Sequence, residues 1–497
     1  MQYQDTAGAA AFEREFRGGA GEIFAFCMDR SPRIRESVEK YGGLALEDFV
    51  KLQRRKLEAN NSLKPLEPRE EFLEVCGKHL AERTSGEITE QTLEALSCGA
   101  LHTADHLGGL YSPQSFQGDL LFDRMLQGIG DFSCIPFFAC GLVPLKSSTY
   151  ARGLMSFSNV QGPEHLPVFS TKEAYGAASF LHAYDQRLLD QALSRCGKLF
   201  TSEKAAECAK GLLRKAYAAG EALSCSRYAD QILHLYIELS KLLEPLLEGK
   251  RYICMETEAI AAALLKKDLE KPDSLISLIL FDPAVRSEFN EERDEEGMPL
   301  SSLLFRGWDD LGRLHPVLNL EPEGSFSGRS MKGERVLLPG DKASVLKLVK
   351  ERVLMPGTYL EAVLYGFSRG FTWYGGIFQS VYLPKWQAMT VRALKRSGYP
   401  DLAEKIGLWE LSGYMSGPVF ALESTGSGAV SAGPIEFLIH GTDRAALDRY
   451  IKTDVCSSHF LGLFEFYHDL TVGSERRDGW YEEIAEFAGR NFSDNLL

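Results

Sequence analysis

Two histidines and an aspartate lie close together within residues 101–122, a segment that also contains a Gly-Gly pair and a Ser-Pro pair. His102, Asp105 and His106 have the spacing i, i+3, i+4, so on a helix their side chains would share one face and could bind a metal ion. Imidazole and carboxylate groups are also common acid–base groups in enzymes. This segment is therefore the strongest candidate for chemistry in the sequence.

The residues themselves leave three interpretations of this segment open. In the favoured one, no metal takes part: His106 is a general acid or base, Asp105 orients it and Thr103 supplies a hydrogen bond, while His102 helps to bind the substrate. In the second interpretation the two histidines and Asp105 bind a metal ion. The string Asp-His-Leu-Gly-Gly resembles part of the metallo-β-lactamase motif, although Leu101 and Thr103 stand where that motif has its two leading histidines. In the third interpretation Asp105 caps a helix and His102 is a buried structural residue.

A second polar segment follows the apolar run of residues 132–140, which is typical of a strand buried on both faces. It carries two cations, Lys146 and Arg152, and several hydroxyl groups, among them Ser148. Arginine binds carboxylate and phosphate groups with two parallel hydrogen bonds, so we expect this segment to neutralise an anionic substrate. The alternative is a surface loop in which the cations are incidental.

A third segment combines a glycine pair with polar side chains and follows an aromatic-rich run at 367–374. Gly375 and Gly376 allow a ligand or another chain segment to approach the backbone closely. Gln379 and Tyr382 follow within seven residues. We expect these four residues to line the opposite wall of the substrate site, and tight packing is the alternative reason for the two glycines.

The apolar pattern predicts elements that would position these segments. Residues 1–100 are predicted to be helical, 101–400 to form an α/β core with a helical insertion at about 171–250, and 401–497 to form a C-terminal α+β region. Predicted strands include 132–140, 252–255 and 275–281, the last of which could instead open a helix, and a strand–turn–strand unit at 419–422 and 435–439. Alternating loops, helices and strands are typical of an α/β sheet, where ligands bind at strand ends.

Charge and composition exclude several classes of protein. The formal net charge is −14, which argues against a nucleic-acid binder because such a protein needs a basic surface. No run reaches the roughly 18 apolar residues of a membrane-spanning helix, and no secretory signal is visible at the N-terminus. The ten cysteines form no Cys-x-x-Cys pair, so we expect reduced, mostly buried thiols in a cytoplasmic protein.

Several stretches, in this order along the chain, resemble the cysteine-adding ligase of bacillithiol biosynthesis. The family's polar loop before a helix is similar to residues 103–113, and its buried strand is similar to 135–140. Its later Leu-Phe and Gly-Arg pieces are similar to residues 304–313, and its Gly-Gly segment to 375–382. The resemblance covers residues 100–390. The family's acidic string after the strand and its long C-terminal coiled coil have no counterpart here.

The resemblance implies a Rossmann-like core with extensive helical elaborations and a small C-terminal α+β part. It also implies a ligase- or transferase-like activity in biosynthesis. We therefore expect a cytoplasmic enzyme that catalyses group transfer or ligation on a small anionic metabolite. One alternative is a metal-dependent hydrolase or lyase that uses His102, Asp105 and His106. The other is a non-catalytic helical scaffold, in which the three polar segments would not meet. The sequence specifies no cofactor, and it is compatible with a homo-oligomer.

Overall fold

A five-stranded parallel sheet lies at the centre of this chain. The computed structural model describes residues 19–108, 112–145, 154–160, 162–294, 297–308, 314–315, 318–330 and 332–497. The chain is a mixed α/β protein, as predicted. The strands of the sheet are β1 (Ala100–His102), β2 (Cys134–Ala139), β3 (Arg251–Glu256), β4 (Thr372–Gly375) and β5 (Ser412–Tyr414).

The strands lie side by side in the order β3-β2-β1-β4-β5, and all neighbouring strands are parallel. The chain therefore adds β2 and β3 on one side of β1, then crosses over and adds β4 and β5 on the other side. Backbone pairing continues beyond the end of β1: the Thr103 amide donates to the Tyr374 carbonyl at 3.0 Å, and the Cys140 amide donates to the Asp105 carbonyl at 2.9 Å. The residues after β1 thus stay between β2 and β4.

Alternate residues of each strand enter two separate hydrophobic cores, one on each face of the sheet. Ile135 and Phe137 of β2 belong to the first core, whereas Cys134 and Phe138 belong to the second. A parallel sheet is stable when helices cover both of its faces, and this explains the nearly continuous apolar run that predicted β2. Polar groups of the strands are consequently confined mainly to the strand ends.

The helices that connect the strands change faces where the strand order reverses. Pro113–Gln127 connects β1 to β2 and packs in the first core, while Gln379–Arg396 connects β4 to β5 and packs in the second. Thr257–Asp268 begins the long connection from β3 to β4, also in the second core. In open parallel sheets a crevice forms where the strand order reverses, which here is at the carboxyl ends of β1 and β4.

The remaining helices surround this centre. The N-terminal region has the helices Ala20–Arg30, Pro32–Tyr41, Leu46–Asn61, Arg69–Ala81 and Gly86–Leu96. The connection from β2 to β3 has Thr171–Ala174, Gln186–Leu199, Glu203–Leu212, Gly220–Ser224, Tyr228–Leu242 and Glu244–Leu247. Later helices are Leu275–Phe281, Pro283–Glu291, Lys342–Lys350, Thr358–Glu361, Pro400–Gly407, Pro434–His440, Arg444–Tyr450, Val455–Leu461, Leu463–Leu470 and Trp480–Asn491. The described residues before β1 and those between β2 and β3 are thus mainly helical.

Small antiparallel sheets complete the described structure. Their strands pair as Leu154–Phe157 with Glu164–Pro167, Leu422–Ser424 with Ala429–Ser431, Phe305–Trp308 with both Leu314–His315 and Leu354–Pro356, and Phe326–Arg329 with both Asn319–Leu320 and Arg335–Leu338. The glycine-rich segment 424–433 thus contains the turn of a hairpin.

Two predicted strands are helices in the structure. The prediction of a strand at 435–439 is wrong, because Pro434 begins a helix that the Glu436 carboxylate caps by accepting a hydrogen bond from the Gly433 amide. Leu275–Phe281 is also a helix, and the Ser274 side chain caps it. A short apolar run fits a buried strand and a buried helix equally well, so these caps decide the outcome.

The helix Ala20–Arg30 packs against helices near the end of the sequence. Phe24 contacts Phe460 with ring centroids 5.5 Å apart, and Phe26 contacts Tyr467 at 5.6 Å. The sheet itself continues to β5, beyond the boundary expected at residue 400. None of the helices in the described part of the chain combines the length and the apolar surface that crossing a lipid bilayer requires. All ten cysteines are free, and six of them are buried.

A buried ion network joins the N-terminal helices to the second core. The Arg369 side chain is fully buried and donates to Asp268 with both terminal nitrogens, at 2.9 and 2.6 Å. It also donates to Glu71 at 2.7 Å, and Lys271 contacts Glu71 as well. Each of these carboxylates is therefore compensated by a cation.

We predict that Arg369→Met destabilises the protein by about 3–5 kcal/mol, because the buried Asp268 carboxylate loses both hydrogen bonds from Arg369 and keeps only Lys271, 4.0 Å away. The measurement is urea-induced unfolding at neutral pH. The matched control is Lys40→Met, which breaks an exposed ion pair with Glu36 and should cost less than about 1 kcal/mol. Equal costs for the two variants would contradict this account of the network.

Candidate functional site at the carboxyl ends of the strands

The residues that follow β1 and β4 meet in the crevice between these strands. The Thr103 hydroxyl donates to Gln379 Oε1 at 2.7 Å, so two of the three polar segments come together. Gln379 lies in the first turn of the helix Gln379–Arg396, and its side chain also forms a hydrogen bond with Tyr382. The structure thus joins three of the predicted site residues in one hydrogen-bonded group.

The two predicted glycines have different roles in this group. A Cβ atom on Gly375 would lie 1.3 Å from Gln379 Oε1, whereas a Cβ atom on Gly376 would meet nothing within 4 Å. Gly375 therefore gives the Gln379 amide the space in which it accepts from Thr103. Gly376 is not needed for this contact.

Two glutamates at the end of β3 have opposite electrostatic environments. Glu256 accepts hydrogen bonds from Arg227 at 2.5 Å and from Arg352 at 2.9 Å. Burial by itself would raise the pKa of Glu256, but the charges of Arg352 and Arg227 outweigh burial and lower it to about 2. Burial and the nearby Glu256 charge instead raise the pKa of Glu258 to about 7. The first carboxylate stays ionised, while the second can exchange a proton near neutral pH.

Glu258 is held against the residues that follow β2. It accepts hydrogen bonds from the Gly141 amide at 2.9 Å, the Leu142 amide at 3.1 Å and the Cys140 thiol at 3.3 Å. Glu361 lies close enough for the Glu258 charge, in addition to burial, to raise its pKa well above the usual range. Ionisation of Glu258 therefore disfavours ionisation of Glu361.

Cys140 links this acidic pair to the residues near Gln379 and to an arginine. Burial and then the charge of Glu258 raise the pKa of the Cys140 thiol well above its usual range, so it is not a thiolate nucleophile. Cys140 acts electrostatically on both Tyr382 and Arg306. The Arg306 guanidinium is half-buried and has no ion-pair partner among the described residues, and burial lowers its pKa. Within the described residues, Arg306 is therefore a cation without a compensating carboxylate.

His102 and Asp105 belong to a separate, fully buried cluster. They lie with Asp119 of the helix Pro113–Gln127, and the ligand atoms of the three side chains are within 4.8 Å of one another. The Tyr236 hydroxyl donates to Asp105 at 3.4 Å. Burial lowers the pKa of His102 to about 3 and raises that of Asp105 to about 7.

His102, Asp105 and His106 do not lie on one helix. His102 lies on a strand and Asp105 in the following loop, so the helical spacing considered for a metal site does not apply. His106 forms a parallel backbone bridge with Cys140 and is not in the cluster with Asp119. The acid–base role of His106 stays a prediction. Lys146, Ser148 and Arg152 lie outside the described residues.

A cavity of about 760 Å³ begins at the start of the helix Pro113–Gln127. Two of its acids, Glu436 and Glu465, have pKa values raised to about 7, in both cases mainly by burial. Glu465 accepts from the Ser112 hydroxyl at 2.7 Å and from the Gln114 amide at 2.9 Å. The anion site that a helix N-terminus offers is thus filled by a carboxylate of the protein itself.

Sequence reasoning missed Glu258, Glu361 and Arg306. A signal for Glu258 was present, because it follows the apolar run of β3 just as Thr103 follows β1. Glu361 and Arg306 carry no such local signal, since long connections bring them to the sheet. No protein-family model, curated protein or solved structure matches the chain.

We predict that Gly375→Ala destabilises the protein by about 1–3 kcal/mol, because the new Cβ atom must displace the Gln379 amide from Thr103. Gly376→Ala is the matched control and should change stability by less than about 0.5 kcal/mol. Urea unfolding of both variants gives the comparison. If both substitutions lower the free energy of unfolding by the same amount, Gly375 does not support the contact between Thr103 and Gln379.

We predict that Glu256→Gln and Glu258→Gln have opposite pH dependences. The folded pKa of Glu256 is lowered, so its stabilising contribution is complete above the unfolded pKa of about 4.5 and is lost as the pH falls towards about 2. The folded pKa of Glu258 is raised, so its contribution is complete below about 4.5 and is lost as the pH rises through about 7. The cost of Glu256→Gln should shrink towards low pH, and that of Glu258→Gln towards high pH, each by at most about 1.4 kcal/mol per pH unit.

The measurement is the unfolding free energy of both variants and the wild type in urea between about pH 3 and pH 7. The two variants serve as controls for each other, because the residues are neighbours and the change from carboxylate to amide is the same. Parallel pH trends for the two variants would contradict the opposite environments.

Proposed function

We propose that this chain is an enzyme that binds a small anionic metabolite in the crevice between β1 and β4 and transfers a group to or from it. The observation that carries the proposal is the convergence of polar side chains after four strands. Thr103 follows β1, Cys140 follows β2, Glu258 follows β3 and Gln379 follows β4. In open parallel sheets, ligands bind at this end, where the strand order reverses.

The fold supports a Rossmann-like core. The strand order β3-β2-β1-β4-β5, together with helices on both faces, is that of a doubly wound sheet of this kind. The cavity of about 760 Å³ at the start of the helix after β1 is lined by other residues, and none of Thr103, Glu258 and Gln379 is among them.

Each group has a role in the proposed reaction. Glu258 is the acid–base group, because its raised pKa allows it to accept a proton from an attacking nucleophile and to return one to a leaving group. Arg306 binds the anionic group of the metabolite. Thr103 and Gln379 orient the polar part of the substrate, with Tyr382 beside them. Group transfer of this type agrees with the ligase-like activity that the family resemblance implies.

Two alternatives differ from this proposal in what they require. A scaffold protein would not need the segments at 103 and 375–379 to meet, and their hydrogen bond therefore favours the enzyme. A hydrolase that uses His102, Asp105 and His106 would need these three side chains on one metal ion, and Asp119 takes the place of His106 in the buried cluster.

We predict that the full chain binds at least one compound from a panel of nucleotides, sugar phosphates, amino acids and dicarboxylates, measured by ligand-observed NMR. Arg306→Gln should weaken that binding by at least about tenfold, because it removes a charged hydrogen-bond donor. Glu258→Gln should leave binding almost unchanged but reduce turnover of paired panel compounds by about 10²-fold or more.

The matched control is Arg329→Gln, which removes an exposed arginine on a hairpin away from the sheet and should bind like the wild type. The proposal is abandoned if no compound of the panel binds, or if Arg306→Gln and Arg329→Gln bind with the same affinity.

A further inference from the structure

The cluster of His102, Asp105 and Asp119 brings two carboxylates and an imidazole together inside the first core. Their side chains are 0%, 3% and 0% exposed, respectively. His102 Nδ1 lies 3.6 Å from Asp119 Oδ1. Ligands about 2.1 Å from a tetrahedral metal ion are about 3.4 Å apart, so this separation is close to that of two ligands of one ion.

Both nitrogens of His102 and both carboxylate oxygens of Asp119 have no hydrogen-bond partner within the described ranges. The imidazole lies between the rings of Phe122 and Phe137, at centroid distances of 5.0 and 5.1 Å. Buried polar atoms in folded proteins are nearly always hydrogen-bonded or metal-bound. Four unpartnered atoms in one cluster therefore indicate a ligand.

The neighbouring buried acids are compensated by cations of the protein. One helical turn after Asp119, Asp123 is paired with Lys250 and with Arg444. A second group of acids close enough to bind a metal, Glu67, Glu71 and Asp268, is contacted by Lys271 and Arg369. Asp119 has no Lys or Arg contact in the part of the chain that the structure describes.

We propose that His102, Asp105 and Asp119 bind one divalent transition-metal ion. Two carboxylates and a neutral imidazole balance the double charge of the ion, so the assembly is neutral in its apolar surroundings. An imidazole together with carboxylates suits Zn²⁺ or Mn²⁺ better than Mg²⁺ or Ca²⁺, which prefer oxygen ligands only. The fourth position is filled by water or by the Tyr236 hydroxyl, which already contacts Asp105.

The ion ties together the elements that lead into the crevice. His102 ends β1, Asp105 lies in the loop after it, and Asp119 comes from the helix that follows. Binding all three fixes the loop that carries Thr103. This inference does not rest on the proposed function, since the unpartnered buried atoms of His102 and Asp119 are present whether or not a metabolite binds at the crevice.

The test is metal binding by the full chain. Protein purified without chelator is analysed for metals, and chelator-treated protein is titrated with Zn²⁺ and with Mn²⁺ against a chromophoric chelator. We expect about one equivalent per chain for the wild type. Asp119→Asn and His102→Gln each remove a ligand atom and should weaken binding by at least about 100-fold, since even outer-shell changes cost 10- to 100-fold. Metal should also raise the unfolding temperature of the wild type but not of the variants.

His440→Gln is the matched control, because His440 forms a less buried pair with Glu423 that could bind Zn²⁺ adventitiously. It should bind metal like the wild type. Unfolding in chelator shows whether each variant is folded, and X-ray absorption of the zinc-loaded wild type gives an independent measurement, for which we expect one imidazole and oxygen ligands. The inference is overturned if the wild type binds no stoichiometric metal, if both ligand variants bind like the wild type, or if the zinc lacks an imidazole ligand.

Discussion

Burial of both faces of the parallel sheet is the constraint on which the rest of the structure depends. Because helices cover each face, the side chains within the strands are almost all apolar, and those that are not must find partners inside the protein. Most polar side chains of the sheet consequently lie at the ends of the strands. The reversal of strand order between β1 and β4 then determines which of those ends form a crevice, and there Thr103 meets Gln379.

The same burial disfavours the ionised form of every interior carboxylate, and the protein compensates these carboxylates in different ways. Asp268 is paired with Arg369, and Glu256 with two arginines, so both remain ionised. Glu258 has backbone amides and a thiol but no cation, so its pKa is raised to about 7 and it can exchange a proton near neutral pH. Asp119 has neither cation nor hydrogen bond among the described residues. This difference separates residues that stabilise the fold from those available for chemistry or for a metal ion.

The features that could be predicted from the sequence are local ones. Residues 103–113 resembled a polar loop before a helix, and a helix does begin at Pro113 with Ser112 as its cap. The apolar run at 132–140 indicated a doubly buried strand and is β2. The same reasoning was wrong at 435–439, where a proline and a capping glutamate outweigh the apolar pattern. It also treated His102, Asp105 and His106 as one helical face, although β1 ends between the first two.

The sequence by itself determined that the chain is an α/β protein with polar groups after apolar elements. Apolar periodicity and helix caps involve residues only a few positions apart, so they can be recognised within one short segment of the sequence. Only the tertiary structure decided which groups meet. Thr103 and Gln379 are 276 residues apart, and Asp119, rather than the adjacent His106, joins His102 and Asp105. Such contacts depend on strand order and helix packing between residues that are far apart in the sequence. A pattern within one short segment cannot predict them.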